Sequence, residues 1–232
     1  SKPRGQPDVM ETNGRHRTIF IGDVHGCLHE LRQMIDRLQP TTEDRVIMLG
    51  DLINRGPDPV GVVRYVVERD YECLMGNHER EYLLENDRLD KYRQLRQELG
   101  AELHSWIENR PYYIEETDFI AVHAGLHPER SLAESDPEVL TNIRFWDGKG
   151  ERLNNPDDPP WYDLYTGERP VFYGHWARRG LNLREKTFGL DSGCVYGRRL
   201  SAYVLETDEL IQIPAARVYY VPPSLRGVRT AT

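Results

Sequence analysis

Thr18-Ile19-Phe20-Ile21-Gly22-Asp23-Val24-His25-Gly26 joins two kinds of chemistry within one short stretch. Four apolar or β-branched residues, the length of a buried strand, run into a glycine, and an acid and an imidazole follow at once. The pattern recurs down the chain. Val46-Ile47-Met48-Leu49 runs into Gly50-Asp51, and Cys73-Leu74-Met75 into Gly76-Asn77-His78. Phe119-Ile120-Ala121-Val122 runs into His123, and Val171-Phe172-Tyr173 into Gly174-His175. Short apolar runs bounded by turn residues read as buried strands, so five strand ends are expected to carry polar chemistry.

Helical patterns lie between these strands. Leu28, Leu31, Ile35 and Leu38 share one face, closed by Pro40. Val60, Val63, Tyr65 and Val67 suggest a second helix after Pro57 and Pro59. A longer third carries Leu95, Leu99, Leu103 and Ile107 and ends before Pro111. The alternation βαβαβ, followed mostly by strands, implies an α/β fold: a mixed sheet with helices on its faces. Its strand ends converge along one edge, where open α/β sheets place ligands. Residues 148–170, rich in Asn, Asp, Pro and Gly, read as a long ordered loop near the site. Leu200 to Pro223 alternates apolar and polar residues and reads as two or three edge strands.

The 232 residues suffice for one large domain, expected over 17–232 after a flexible polar tail at 1–16. A formal net charge of −8 argues against a broad nucleic-acid or anionic-membrane footprint. It does not exclude a phosphorylated substrate, because divalent cations would reverse the local field. Cys27, Cys73 and Cys194 fit neither a disulfide framework nor a zinc ribbon, so a reducing cytoplasm is expected. No apolar run has the length of a membrane span.

Asp23, His25, Asp51, Asn77, His123 and His175 offer mixed oxygen and imidazole donors. Such donors suit manganese first, with iron or zinc as alternatives, better than calcium. Six ligands exceed what one tetrahedral zinc takes and suit two divalent ions with a bridging carboxylate. Metal pairs about 3.5–4 Å apart clamp a water and the phosphoryl oxygens of an in-line displacement.

Gly22-Asp23-Val24-His25-Gly26, Gly50-Asp51-Leu52-Ile53-Asn54-Arg55-Gly56 and Gly76-Asn77-His78-Glu79 together resemble the signature of the metallophosphoesterases, within them the phosphoprotein-phosphatase superfamily. The resemblance implies a four-layer fold with mixed β-sheets in a sandwich flanked by helices, and a dimetal site at the strand ends. It implies that Asp23 and His25 hold the first ion, that Asp51 bridges, and that Asn77, His123 and His175 hold the second. Arg55 would grip phosphate bidentately, and His78 would protonate the leaving oxygen. The motif differs from the protein phosphatases at Asn54, where they usually carry an Asp that orients the histidine. Asn54 is expected to accept a hydrogen bond from His78.

Tyr173-Gly174-His175-Trp176-Ala177 and residues 189–197 resemble the bacterial symmetrical diadenosine-tetraphosphate hydrolases and the phosphatases named after them. Leu140–Phe145, similar in the same way, makes Arg144 a candidate second phosphate ligand, ahead of Arg152 and Arg169. The expected function is metal-dependent hydrolysis of phosphoanhydrides or phosphate monoesters by a metal-activated hydroxide. A dinucleoside polyphosphate is the first choice of substrate. A serine/threonine, and also tyrosine, protein phosphatase acting on phosphoproteins or small phosphomonoesters is the alternative, and a non-catalytic scaffold the remote one. A nuclease is disfavoured for want of a basic, aromatic-lined groove. Asp191 and Tyr196 are read as turn residues at the site edge. Trp146, Trp161 and Trp176 are read as core aromatics or a nucleobase platform, and the acidic stretch Glu79–Asp90 as a solvated helical face.

Overall fold

The computed structural model describes residues 16–226. Residues 1–15 of the expected N-terminal tail therefore lie outside the described residues. β1 (Thr18–Ile21), β2 (Arg45–Met48) and β3 (Glu72–Cys73) pair in parallel, joined by α1 (Leu28–Leu38) and α2 (Pro59–Glu68). β9 (Arg199–Val204) adds antiparallel to β1, and β10 (Glu209–Pro214) completes a sheet of order β10-β9-β1-β2-β3. A second sheet contains β4 (Tyr113–Glu115), β5 (Ile120–Val122), β6 (Val171–Tyr173), β7 (Asn182–Leu183) and β8 (Thr187–Gly189). Its order is β4-β5-β6-β8-β7, with β5, β6 and β8 parallel. The alternation of elements had implied a single sheet; two face each other, as the family resemblance implied.

Strand periodicity explains the sandwich. Phe20, Ile47, Ala121, Phe172 and Tyr203 point between the sheets and form one apolar cluster. The alternate residues Ile19, Ile21, Val46 and Met48 point outward, under α1, α2 and α4 (Asp90–Glu108). Phe20 and Phe172 lie nearly parallel with ring centroids 3.9 Å apart, and Phe188 and Tyr203 extend the cluster. The outer face of the second sheet is covered differently. The short helix α5 (Pro137–Asn142) and the ordered loop over 148–170 bury Trp146, Trp161 and Trp176 there, so these three rings pack a core.

Several expected faces shift. In α2 the buried residues are Val62, Val63, Tyr65 and Val66, while Val60 and Val67 are half-buried. The C-terminal region contributes two strands, and only β10 is an edge, because β9 pairs on both sides. Gly100, with φ 74° and ψ 175°, breaks the regular backbone within α4. A further helix, α3 (Asn77–Glu85), begins at the third motif, and its Glu79 is buried rather than solvated. No helix among the described residues is long and apolar enough to cross a membrane.

Replacing Phe172 with Ala should cost about 3–5 kcal/mol of stability, the usual effect of emptying a buried aromatic site. Equilibrium denaturation measures it; a loss below about 1 kcal/mol would mean that this ring does not hold the two sheets together.

Candidate metal centre

The parallel strands of both sheets end at the same edge. Asp23 follows β1, Asp51 follows β2 and Asn77 follows β3; His123 follows β5, His175 follows β6 and Asp191 follows β8. The stacking of Phe20 on Phe172 sets β1 opposite β6, and the two loops touch. The Asp23 carboxylate accepts the backbone N–H of His175, with N···O distances of 3.0 and 3.2 Å. Asp51 sits at the centre. Its Oδ2 lies 3.2 Å from His123 Nε2, 3.7 Å from His25 Nε2 and 4.0 Å from His78 Nε2. The His25 Nε2 is also 3.8 Å from Asp23 Oδ2.

Hydrogen bonds to the far nitrogens fix what each imidazole offers. His25 Nδ1–H donates to Ile53 O at 2.8 Å and His123 Nδ1–H to Leu49 O at 2.7 Å. In its neutral form each ring thereby presents the Nε2 lone pair to the centre; burial opposes protonation of His123, but the Asp51 carboxylate outweighs it and raises that ring's pKa. His175 is turned the other way: Nε2–H donates to Asn142 O at 3.1 Å, leaving Nδ1 to face Asn77 Oδ1, also at 3.1 Å. Asn77 Oδ1 is 2.9 Å from His123 Nε2 as well. All six expected ligands are thus brought together.

The loops adopt unusual backbone to achieve this. His25, Asp51, Asn54, Arg55 and His175 all have positive φ, between 44° and 70°. Non-glycine residues enter that region at a cost and cluster where surrounding contacts enforce it. Two glycines leave room for the carboxylates: a Cβ on Gly76 would come within 2.2 Å of Asp51 Oδ1, and one on Gly174 within 2.1 Å of Asp23 Oδ1. The buried Glu79 holds the second loop from below. It accepts the N–H groups of Asp51 (2.6 Å), Leu52 (3.1 Å), Ile53 (3.4 Å) and Gly76 (3.2 Å).

The electrostatics leave a positive charge missing. Asp23, Asp51 and Asp191 are all buried, and among the described residues no lysine or arginine pairs with them within 4.0 Å. Burial, then the Asp191 and Asp51 carboxylates, pushes the Asp23 carboxyl well above the usual carboxylate range. Burial also acts to raise Asp51, but the surrounding His123, His78 and His25 outweigh it and hold Asp51 well below that range. Buried carboxylates facing unprotonated imidazole nitrogens fit divalent cations. Two sets of ligand atoms here each lie within 4.8 Å of one another: His25, Asp51 and His78, and Asp51, His123 and His175. They share Asp51, as two neighbouring cations require. Distance alone puts His78 in the first set where the sequence pointed to Asp23. The His78 Nε2 is the most distant of the three imidazole nitrogens from Asp51, and its Nδ1 is engaged elsewhere, so Asp23 remains the better donor.

That engagement reverses an expectation. Tyr92 Oη–H donates to Glu81 Oε2 at 2.5 Å, which uses the only proton of the hydroxyl. The Tyr92 oxygen must then accept from Asn54 Nδ2, 2.7 Å away, and the same amide nitrogen lies 2.8 Å from His78 Nδ1. Asn54 therefore donates to His78 rather than accepting from it, and the His78 proton resides on Nε2, facing the centre. Burial pushes the His78 imidazole down to about 3, so the ring is neutral.

Arg55 and Arg144 line the cleft over the carboxylates. The Arg55 guanidinium donates to Tyr196 Oη and lies 5.1 Å from the Tyr220 ring centre. Arg144 is steadied by Asn154 Oδ1 at 2.6 Å. Arg152 and Arg169 pair with acidic groups away from the cleft. Sequence reasoning missed Glu79, Tyr92 and Tyr220. The Glu after Asn77-His78 was the available signal for the first, and none marked the other two.

Known proteins bear on this arrangement. Symmetrical bis(5'-nucleosyl)-tetraphosphatases of Burkholderia pseudomallei and Burkholderia mallei are 30% identical over 264 aligned positions, covering 86% of this chain and 92% of theirs. The crystal structure of a candidate diadenosine tetraphosphatase superposes with a TM-score of 0.80 at 32% identity, covering 88% of this chain and 95% of the other. A cold-active protein-tyrosine phosphatase of a psychrophilic Shewanella shares the fold, with a TM-score of 0.58 at 19% identity over 86% and 78% of the two chains. The model of the calcineurin-like phosphoesterases matches residues 16–200, and the chain belongs to that family of phosphohydrolases.

Proposed function

We propose that this phosphohydrolase cleaves phosphoanhydrides, with symmetrical hydrolysis of a dinucleoside tetraphosphate such as diadenosine tetraphosphate as its reaction. Asp23 and His25 would hold one divalent cation, Asn77, His123 and His175 a second, and Asp51 both. Bound there, the pair supplies Lewis acidity, lowering the pKa of a water and neutralising phosphoryl charge. Manganese suits this mixed oxygen and imidazole donor set best, and iron or zinc would also be accepted. Arg55 and Arg144 bind and orient the non-bridging phosphate oxygens. The three buried, unpaired cysteines suit a reducing compartment, the cytoplasm.

The observation that carries the choice of substrate is the chain Glu81–Tyr92–Asn54–His78. It keeps His78 neutral and its proton on Nε2, so His78 offers the leaving oxygen a hydrogen bond rather than a full proton. A phosphoanhydride releases a weakly basic phosphate oxygen, for which a hydrogen bond suffices. A phosphoserine ester releases a strongly basic alkoxide, which needs the proton itself. The identity to symmetrical tetraphosphatases over most of both chains supports the same reading.

Turnover of diadenosine tetraphosphate beside phosphoserine and phosphotyrosine peptides tests it. The expected outcome is ADP as the nucleotide product and little release from phosphoserine. Release of inorganic phosphate alone from the nucleotide, or faster turnover of the phosphopeptides, would favour the protein-phosphatase alternative. With the nucleotide, His78→Ala should lower kcat by about 10²–10³-fold, the worth of one aimed donor, with metal content unchanged. A near-normal rate would remove His78 from the reaction.

Tyr92→Phe provides a separate check, because it frees the Asn54 amide to turn over. The preference for anhydride over alkyl ester should then fall about fivefold, the equivalent of one net hydrogen bond of about 1 kcal/mol. An equal loss on both substrates would leave Tyr92 a packing role only.

A further inference from the structure

The cleft above the carboxylates, about 840 Å³, extends well beyond the groups needed to hold a phosphate. Its far wall is the C-terminal segment 215–226, which is tied down at its start. Ala215 N–H donates to Arg198 O at 2.8 Å, and Ala216 N–H to the buried Glu30 carboxylate at 3.0 Å. Tyr219 Oη–H donates to that same carboxylate at 2.8 Å. The N–H groups of Tyr219 and Tyr220 both reach Val195 O, at 3.1 and 3.0 Å. From this anchor the segment runs along the cleft to a short 3-10 turn at Pro223–Leu225.

What it presents to the cleft is apolar and aromatic: Val218, Tyr220, Val221, Pro222 and Leu225. Val218, Val221 and Leu225 are 58%, 43% and 56% exposed, half of the large exposed hydrophobic residues among those described. Their clustering beside the polar centre marks them as a binding surface. The Tyr220 ring already carries planar partners, with the guanidinium carbons of Arg55 and Arg226 5.1 and 5.5 Å from its centre. Arg178 and Arg198 also line the cleft, and with Arg55 and Arg144 they make four guanidinium groups without a carboxylate partner within 4.0 Å among the described residues. A chain of net charge −8 thus concentrates unpaired positive charge in this cleft.

We propose that the segment 215–226 forms a nucleoside subsite. The ligand is a nucleoside diphosphate or the corresponding leg of a longer nucleoside polyphosphate. The base and ribose lie on the wall of Val218, Tyr220, Val221 and Leu225, and Arg178 and Arg198 hold the phosphates that lead away from the metal centre. The inference rests on the phosphohydrolase reading of that centre and adds which residues select a nucleotide over a bare phosphate.

The test is calorimetric binding of ADP and of methyl diphosphate, which has the same diphosphate without a nucleoside, to the manganese-loaded full chain. ADP should bind about tenfold tighter or better, the scale of base stacking on an aromatic wall. Leu225→Ala and, separately, Val221→Ser should remove most of that advantage and leave methyl diphosphate binding within about twofold of the parent. Equal binding of the two ligands by the parent chain would overturn the subsite. So would variants that weaken both ligands equally, because the segment would then only steady Arg55. Hydrolysis of diadenosine tetraphosphate does not enter this measurement. If that activity is missing while the ADP preference stands, the reaction proposed above fails and the subsite does not.

Discussion

Asp23 and Asp51 are buried at the edge of two sheets, and among the described residues no lysine or arginine pairs with them within 4.0 Å. Burying such groups unpaired is costly, and the surrounding imidazoles, which hold Asp51 as the anion, leave Asp23 uncompensated. The loops around them follow from that constraint. Each histidine turns one nitrogen to a backbone carbonyl or to Asn54 and keeps the other toward the carboxylates. Left-handed backbone at His25, Asp51 and His175 aims the side chains inward, and Glu79 fixes the backbone beneath Asp51. Local strain of this kind is held in place by the packing of Phe20 on Phe172, which brings the two sets of strand ends to one place.

The same geometry divides the work of the reaction. The carboxylate and imidazole donors suit cations; the arginines suit the phosphates those cations cannot reach. His78 lies beside the centre, and the Asn54 amide determines which of its nitrogens carries the proton. Tyr92, on α4, acts only through Asn54, yet it decides the direction of that hydrogen bond. A carboxylate in place of Asn54 would draw the proton to Nδ1 and favour a charged ring. On the reaction proposed above, the choice between an anhydride and an alkyl ester as substrate would lie in one amide and its neighbour.

Much of this was legible in the sequence because the chemistry sits at strand ends. A run such as Val46–Leu49 specifies a buried strand, and the Gly50-Asp51 that follows can only emerge at its tip. Three such tips with acid, amide and imidazole, in order, identify both the fold and the donors. Contacts between remote segments were not legible. Tyr92 lies 38 residues from Asn54, and Tyr196 lies 141 residues from Arg55. Nothing in helical periodicity distinguishes a tyrosine that packs from one that also aims an amide. Glu79 was misread for a related reason: three acids within Glu79–Glu85 suggest a solvated helix face, but its first turn faces inward to cap the Asp51 loop. The wall at 218–225 escaped notice because the residues up to Pro223 read as the end of an edge strand, whereas the last strand ends at Pro214 and only the fold brings the apolar residues beyond it beside the carboxylates.

We infer that the buried carboxylates of this centre cage two divalent cations. Anomalous diffraction from crystals of the full chain grown with manganese tests it most directly. Two peaks on either side of the Asp51 carboxylate, one reached by His25 and the other by His123 and His175, are the predicted result. A single peak, or a pair that Asp51 does not touch, would rule out a cation pair joined by Asp51.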